Sequence, residues 1–138
     1  MKPLNKTIKV VAAAILSKCG QQVFVAKRKA SAHQGGLWEF PGGKIDAGET
    51  ASIALHRELK EEVAIEVLSS EPLIKLSHDY GDKCVELDVY KVTAFTGDAT
   101  GAEGQETRWV GLSELENLEF PAANQAIIQA LLVSTQQS

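Results

Sequence analysis

The chain has 138 residues, of which 44% are hydrophobic and 23% charged, a composition that predicts one folded domain and excludes a disordered chain. Its 14 basic and 18 acidic residues give a net charge of −4, which argues against a protein that binds a nucleic-acid polymer by neutralising phosphates. A small anionic ligand stays open, because a bound divalent cation reverses the local sign of charge. No run approaches the ~20 apolar residues of a membrane span, so we predict a soluble, cytoplasmic and monomeric protein with a single domain over residues 1–138.

The cysteines add a prediction about the compartment. Cys19 and Cys84 are too few for a zinc site and lack the spacing of a Cys-x-x-Cys redox motif. A disulfide between them is one alternative, but we predict two buried thiols in a reducing compartment.

The hydrophobic pattern predicts a series of strands divided by turns and loops. They are predicted at residues 8–16, 22–27, 37–40, 65–68, 73–79, 85–95 and 107–110. The run Pro41-Gly42-Gly43 is predicted to stop the third strand. Because strands and helices follow one another in mixed order, we predict an α+β fold with a mixed sheet.

Helical spacing of apolar residues is clearest over residues 50–63, where Thr50 can cap the start of the helix. A short helix is predicted to begin at Ser113 as its cap. Pro121 is predicted to begin a final amphipathic helix, which gives way to a frayed tail at residues 134–138.

Three glutamates, Glu58, Glu61 and Glu62, crowd the last turns of the long predicted helix, although the negative end of a helix dipole disfavours anions. At about 100° per residue their side chains share a face, which lies beside the apolar stripe rather than opposite it. Carboxylates at this spacing repel one another unless a cation lies between them, and Mg²⁺ prefers such oxygen ligands. The alternative is an exposed, charged helix end in which Arg57 pairs with Glu61. These residues alone favour neither interpretation.

The segment before the helix favours the metal site. Gly43 is followed at fixed distances by Glu49 and by residues 57–65, which read Arg-Glu-Leu-Lys-Glu-Glu-Val-Ala-Ile. This arrangement resembles the box of the Nudix hydrolase family. One fixed position differs, because Ala64 stands where the family has a glycine that would end the helix in the left-handed conformation. The difference puts in question the geometry of the loop after the helix and not the chemistry.

The likeness continues beyond the box over nearly the whole chain, and residues 37–44 resemble the lead-in to the box in the MutT type of the family. It implies a Nudix-like α/β/α sandwich with a central mixed sheet. It also implies Mg²⁺-dependent hydrolysis, with Mn²⁺ as a substitute, of nucleoside diphosphates linked to a further moiety. In the MutT branch 8-oxo-dGTP is cleaved to 8-oxo-dGMP and pyrophosphate, which keeps oxidised guanine out of DNA.

The resemblance also implies a set of metal ligands. They are the backbone carbonyl of Gly42 and the carboxylates of Glu58, Glu61, Glu62 and Glu103. The glutamate that activates the attacking water differs among family members, and Glu58 and Glu103 are both candidates here. Arg57 would pair with Glu49 and so orient the helix against the preceding loop.

Nucleotide-binding residues are implied in the same way, and they are Arg28, His33, Phe40, Tyr80 and Asn124. Asn124 resembles the asparagine that distinguishes 8-oxoguanine from guanine, since an amide both donates and accepts hydrogen bonds. Each position has a plainer alternative. Arg28 and His33 would then be exposed surface residues, Phe40 and Tyr80 core packing, and Asn124 a polar residue in the first turn of a helix.

Two other functions compete with this interpretation. A CTP or modified dCTP pyrophosphohydrolase would share residues 31–40, whereas residues 120–124 favour the guanine branch. A Nudix-fold binding module that has lost catalysis would explain the fold, but the intact Glu58, Glu61 and Glu62 argue against it.

Overall fold

The strands of the computed structural model, which describes residues 6–28 and 36–136, join into one sheet. In chain order they are β1 (Lys6–Leu16), β2 (Gln22–Lys27), β3 (Trp38–Glu39), β4 (Gly42–Lys44), β5 (Glu66–Asp79), β6 (Lys83–Thr96) and β7 (Thr107–Gly111). The α-helices are α1 (Ala51–Val63) and α2 (Gln125–Gln136), and 3₁₀ turns cover Leu112–Asn117 and Ala122–Asn124. No helix within these ranges is long and apolar enough to cross a membrane.

β1 lies in the middle of the sheet, whose strand order is β3-β2-β1-β6-β5. It pairs in parallel with β6 from Lys6↔Lys83 to Ile15↔Val92, while the other strand pairs of the described residues are antiparallel. The opposite edge of β1 is shared, because β4 pairs with residues 10–12 and β2 with residues 15–16. The predicted mixed sheet is therefore confirmed.

Alternate residues of β1 pack on opposite faces of the sheet. On one face Val11, Ala13 and Ile15 are buried in a cluster with the α1 residues Leu55 and Leu59. On the other face Ala12, Ala14 and Leu16 are buried in a cluster with the α2 residues Ile127 and Leu131. A strand covered on both sides has no polar face, which explains its unbroken apolar sequence. The α/β/α sandwich implied by the sequence is confirmed.

The third strand ends before Pro41 as predicted, but the two glycines that follow return to the sheet, because Gly42–Lys44 forms β4 against β1. A Cβ at Gly42 would collide with the carbonyl oxygen of Val11, so the close approach of the two strands requires glycine. The strands predicted at 65–68 and 73–79 are also one strand, β5, because bulges absorb the irregular stretch around Pro72.

Both ends of α1 are as the sequence suggests. The Thr50 side chain accepts a hydrogen bond from the amide of Ile53 at 3.1 Å and caps the helix as predicted. Ala64 adopts φ 62° and ψ 34°, the left-handed conformation expected of glycine, and its amide donates to the carbonyl of Leu59. The departure from the family pattern therefore costs about 1 kcal/mol of strain but keeps the glycine-like end of the helix.

Several expectations in the second half are wrong. Ser113 caps no helix, since the 3₁₀ turn at Leu112–Asn117 begins after Gly111 without a side-chain cap. α2 begins at Gln125 rather than at Pro121, because a 3₁₀ turn comes first. It also continues into the predicted frayed tail as far as Gln136, where Ser134 accepts a hydrogen bond from Lys91 Nζ.

The prediction of two buried thiols is also wrong. Both cysteines are free, but Cys19 lies exposed in the turn between β1 and β2, and Cys84 is half-buried at the start of β6. The hydroxyl of Ser77 lies 3.4 Å from the Cys84 sulfur. The turn and the strand end both lie outside the two packed layers, which explains the exposure.

Candidate active site

Arg57 joins α1 to the loop before it. Its guanidinium makes two parallel bonds to Glu49, at 2.7 Å from Nε and 2.8 Å from Nη2, and Nη2 also donates to the carbonyl of Lys44 at 3.1 Å. Its Nη1 donates to Glu58 at 2.9 Å and, less closely, to Glu61 at 3.4 Å. The pairing with Glu49 is therefore present as expected, and the alternative pairing with Glu61 accompanies it as the longer contact.

This network shifts the titration of both partners. The hydrogen bonds from Arg57, followed by the one from the Asp46 amide, lower the pKa of Glu49 to about 2. The bonds to Glu49 and Glu58 raise the pKa of Arg57. Glu49 is 16% exposed and stays charged near neutral pH, so the pair holds the loop and the helix together.

Glu58 lies directly against β4. Its side chain is 18% exposed, and a Cβ placed on Gly43 would collide with its carboxylate. Gly43, the first residue of the box, is therefore required for steric reasons, because the absence of a side chain leaves room for the Glu58 carboxylate to pack on the strand backbone. Glu58 is held between this backbone and Arg57.

Replacing each of the two glycines of β4 by alanine, which adds one methyl group, should have different effects. In Gly43→Ala the atoms nearest to the new Cβ belong to the carboxylate at the end of the Glu58 side chain, so we expect normal folding with Glu58 displaced and kcat/KM lowered about 10- to 100-fold. In Gly42→Ala it meets the backbone of Val11, so we expect a loss of about 1–3 kcal/mol in unfolding free energy. Urea unfolding and initial rates measured on both variants check this, and equal losses of stability would contradict it.

Glu62 is the second carboxylate of α1 that points towards β4. Its Oε2 accepts a hydrogen bond from the Gly42 amide at 3.1 Å. Burial raises the pKa of Glu62 to about 7, the bond from Gly42 opposes this rise, and the charges of Glu39, Glu103 and Glu58 add to it. These four acidic groups therefore share one electrostatic environment.

The raised pKa of Glu62 means that a divalent cation held by this carboxylate would bind in a pH-dependent way. Below about pH 7 Glu62 is protonated and a divalent cation must displace the proton, so we expect the affinity for Mg²⁺ to rise up to about tenfold per pH unit and to level off above that value. The folded state also binds more protons than the unfolded state between pH 4.5 and about 7, so the metal-free protein should lose stability as pH rises through this window. Calorimetric titration and thermal unfolding across the window test both signs, and Glu62→Gln should flatten both profiles.

Glu103 lies exposed on the loop between β6 and β7. The loop lies against the C-terminal end of α1, where the amide of Ala102 donates a hydrogen bond to the carbonyl of Glu62 at 3.0 Å. Gln105, which the sequence analysis did not single out, donates to the same carbonyl at 3.1 Å from Nε2. The distal glutamate predicted from the sequence thus comes near the helix glutamates, and its neighbour Gln105 helps to attach the loop.

The predicted metal ligands lie around the same end of α1 but do not form one coordination shell. Within residues 6–28 and 36–136 no three His, Cys, Asp or Glu side chains are grouped closely enough to hold a metal ion. Glu61, 57% exposed, contacts Arg57 instead. The donor set nevertheless suits a hard cation, because it consists of carboxylates and a backbone carbonyl, and a cation would offset the repulsion felt by Glu62.

A cleft of about 450 Å³ lies beside the start of α2 and reaches Gly42 and Gly43 of β4. It is lined by the predicted nucleotide-binding residues that the structure describes, namely Arg28, Phe40, Tyr80 and Asn124. His33 lies outside the described residues. The cleft brings an apolar and amide-bearing region next to the acidic helix.

A purely structural role explains some of these cleft residues better than others. Phe40 is 5% exposed and stacks on Phe120 with ring centroids 5.3 Å apart, so most of its ring is core packing. Tyr80 is 47% exposed and contacts the His78 ring at 4.3 Å between centroids, outside the core. Asn124 closes a 3₁₀ turn, in which its backbone amide donates a hydrogen bond to the carbonyl of Pro121.

Arg28 is paired within the cleft. Its Nη1 lies 2.6 Å from Oε1 of Glu39, and both side chains are about 30% exposed, at 31% and 30%. Burial raises the pKa of Glu39, while Arg28 opposes the rise. No sequence motif marks Glu39, although it lies next to Phe40 in a short predicted strand. His78, which is not among the predicted binding residues, also lines the cleft.

Comparison with known proteins agrees with this geometry. A family model described as NUDIX domain matches residues 11–130. The chain is 38% identical over 132 residues to an 8-oxo-dGTP diphosphatase of Haemophilus influenzae, which covers 96% of this chain and 97% of the relative. A CTP pyrophosphohydrolase of Escherichia coli is 36% identical over 118 residues, covering 86% and 84%.

The fold is similar to solved structures as well. A structure from a study of MutT from Aliivibrio salmonicida and Vibrio cholerae superposes with a TM-score of 0.86 at 36% identity. The match covers 94% of this chain and 99% of that chain. It therefore extends over the helix, the cleft and the loop described above.

Proposed function

Because the chain belongs to the Nudix hydrolase family, we propose that it is a Mg²⁺-dependent nucleoside triphosphate pyrophosphohydrolase that converts 8-oxo-dGTP to 8-oxo-dGMP and pyrophosphate. The observation that carries the proposal is the cleft, in which Asn124 and the backbone of Gly42 and Gly43 line one space beside the acidic helix. The reaction removes oxidised guanine from the nucleotide pool before DNA replication and so prevents mutation.

The triphosphate end of the site consists of oxygen ligands. The residues that would hold Mg²⁺, or Mn²⁺ in its place, are Gly42, Glu58, Glu61, Glu62 and Glu103. A bound ion would supply charge neutralisation for the phosphate oxygens and would lower the pKa of the water that attacks phosphorus. Glu58 or Glu103 accepts the proton of that water, and Arg57 keeps Glu58 oriented through its 2.9 Å bond.

The nucleoside end consists of the cleft residues. Phe40 and Tyr80, which both line the cleft, contact the base. Arg28, held by Glu39, supplies a positive charge between the base and phosphate regions. Asn124 is fixed by its 3₁₀ turn and offers both a donor and an acceptor to the purine edge.

The role of Asn124 predicts a loss of discrimination rather than a loss of chemistry. In Asn124→Ala we expect the ratio of kcat/KM for 8-oxo-dGTP over dGTP to fall about tenfold or more, because the amide that distinguishes the two edges is gone. Turnover of dGTP should change little. Steady-state rates on both nucleotides measure the ratio, and an unchanged ratio would remove Asn124 from base recognition.

The proposed substrate is tested by Mg²⁺-dependent pyrophosphate release from 8-oxo-dGTP, dGTP, CTP and dCTP. A large preference for 8-oxo-dGTP supports the proposal. A preference for CTP or a modified dCTP would keep the chemistry and make the chain functionally similar to its CTP pyrophosphohydrolase relative. Binding of a nucleotide without turnover would instead indicate a catalytically inactive binding module.

We also propose that the whole chain acts as one Nudix domain, as a monomer in the cytoplasm. The two free thiols support a reducing compartment. Size-exclusion chromatography with light scattering tests the monomer, and a mass twice that of one chain would contradict it.

A further inference from the structure

The loop between β6 and β7 is attached to the last carbonyls of α1. The amide of Thr100 donates to the carbonyl of Val63 at 3.1 Å, and that of Ala102 donates to Glu62 at 3.0 Å. The last carbonyls of a helix have no partner within the helix, so these bonds satisfy them and fix the path of the loop. Glu103 follows directly, with its side chain exposed.

The side chain of Gln105 links Glu103 of the loop to Glu62 of α1. The Gln105 amide donates from Nε2 to the carbonyl of Glu62 at 3.1 Å and accepts at Oε1 from the backbone amide of Glu103 at 3.0 Å. Gln105 is half-buried, whereas Glu103 is exposed. A single planar group therefore sets the distance between the backbones of two acidic residues.

Electrostatic repulsion makes such a connection necessary. The charges of Glu58 and Glu103 each act on Glu62, and repulsion between like charges favours loop conformations that carry Glu103 away from α1. An exposed loop also gains conformational entropy by leaving the helix. The two hydrogen bonds of Gln105 oppose both effects.

We propose that Gln105 is a positioning residue that holds Glu103 at the C-terminal end of α1, so that its carboxylate shares a divalent cation with the helix glutamates. The proposal rests on the proposed function for the presence of that cation. Gln105 touches neither substrate nor metal and acts through Glu103. Its side chain keeps the loop in the metal-binding conformation before the cation arrives.

The test uses Gln105→Met, which keeps the length of the side chain and removes both hydrogen bonds. Mn²⁺ binding is measured without nucleotide, from the electron paramagnetic resonance signal of the free ion. We expect the Mn²⁺ dissociation constant to rise about 10- to 100-fold, as for other groups that orient metal ligands. Gln129→Ala, an exposed glutamine on α2, is the matched control and should bind like the wild type. Circular dichroism checks that both variants are folded.

A double-mutant cycle shows whether the effect passes through Glu103. In a Glu103→Gln background, Gln105→Met should weaken Mn²⁺ binding no further. The proposal is overturned by a Gln105→Met affinity within twofold of the wild type, or by the same weakening with and without the Glu103 carboxylate. These outcomes do not depend on the nucleotide, whereas a protein that binds Mn²⁺ but hydrolyses none of the nucleotides would refute only the proposed function.

Discussion

Replacing Glu58 by glutamine is expected to lower kcat/KM by about 10²- to 10⁴-fold on the preferred nucleotide. The amide oxygen can still accept the 2.9 Å bond from Arg57, and the side chain still fits against Gly43, so the geometry is kept. The negative charge that a cation requires, and the basicity that a water requires, are both lost. Pyrophosphate release at saturating Mg²⁺ measures the loss.

Glu66→Gln is the matched control for this substitution. Glu66 lies 65% exposed at the start of β5 and makes only a surface pair with Lys60 at 3.4 Å, so its loss should leave the rate within twofold. The same assay on Glu103→Gln decides which glutamate accepts the proton. If Glu58→Gln kept a tenth or more of the wild-type rate, Glu58 would be neither the base nor an essential ligand.

Arg57→Lys is expected to lower kcat/KM by about 10- to 100-fold although the charge is conserved. An ammonium cannot make two parallel bonds to Glu49 and also contact Glu58, as the guanidinium does. Glu58 and the box loop would then lose their shared anchor. Arg108→Lys, which changes an exposed arginine paired with Glu106 at 3.8 Å, is the control and should stay near the wild-type rate.

Acid unfolding gives an independent measure of the same anchor. The pKa of Glu49 is lowered from 4.5 to about 2, so the stabilisation from its pairing is complete above about pH 4.5 and is lost as pH falls towards 2. The unfolding temperatures of wild type and Arg57→Lys should therefore differ most near neutral pH and converge in acid. If the difference in unfolding temperature stayed constant across this pH range, Glu49 would not distinguish the arginine from the lysine at position 57.

The parts of the fold that the sequence predicts are those with a regular pattern. α1 has helical apolar spacing and a threonine cap, and both appear in the structure. β4 has no side-chain pattern at all, since two glycines form a strand only because β1 lies close beside them. β5 looks like two strands because its alternation is interrupted near Pro72, and the bulges that restore the pairing depend on β6.

The same distinction applies to the site. The spacing of Glu58, Glu61 and Glu62 on one helix places them on one face, and local geometry is sufficient to infer this. Glu39 and Gln105 contribute through partners distant in the chain, since Glu39 pairs with Arg28 and Gln105 binds the carbonyl of Glu62. No periodicity marks such residues, so only the folded structure reveals them.

The parallel pairing of β1 with β6 has a consequence for the order of events during folding. The central strand cannot complete its hydrogen bonds until residues 83–92 are available, and contacts between such distant segments form slowly. During synthesis on the ribosome the apolar run of β1 emerges long before its partner. In that interval it presents an unpaired, aggregation-prone edge, and we expect nascent chains of this protein to depend on chaperones until β6 has been made.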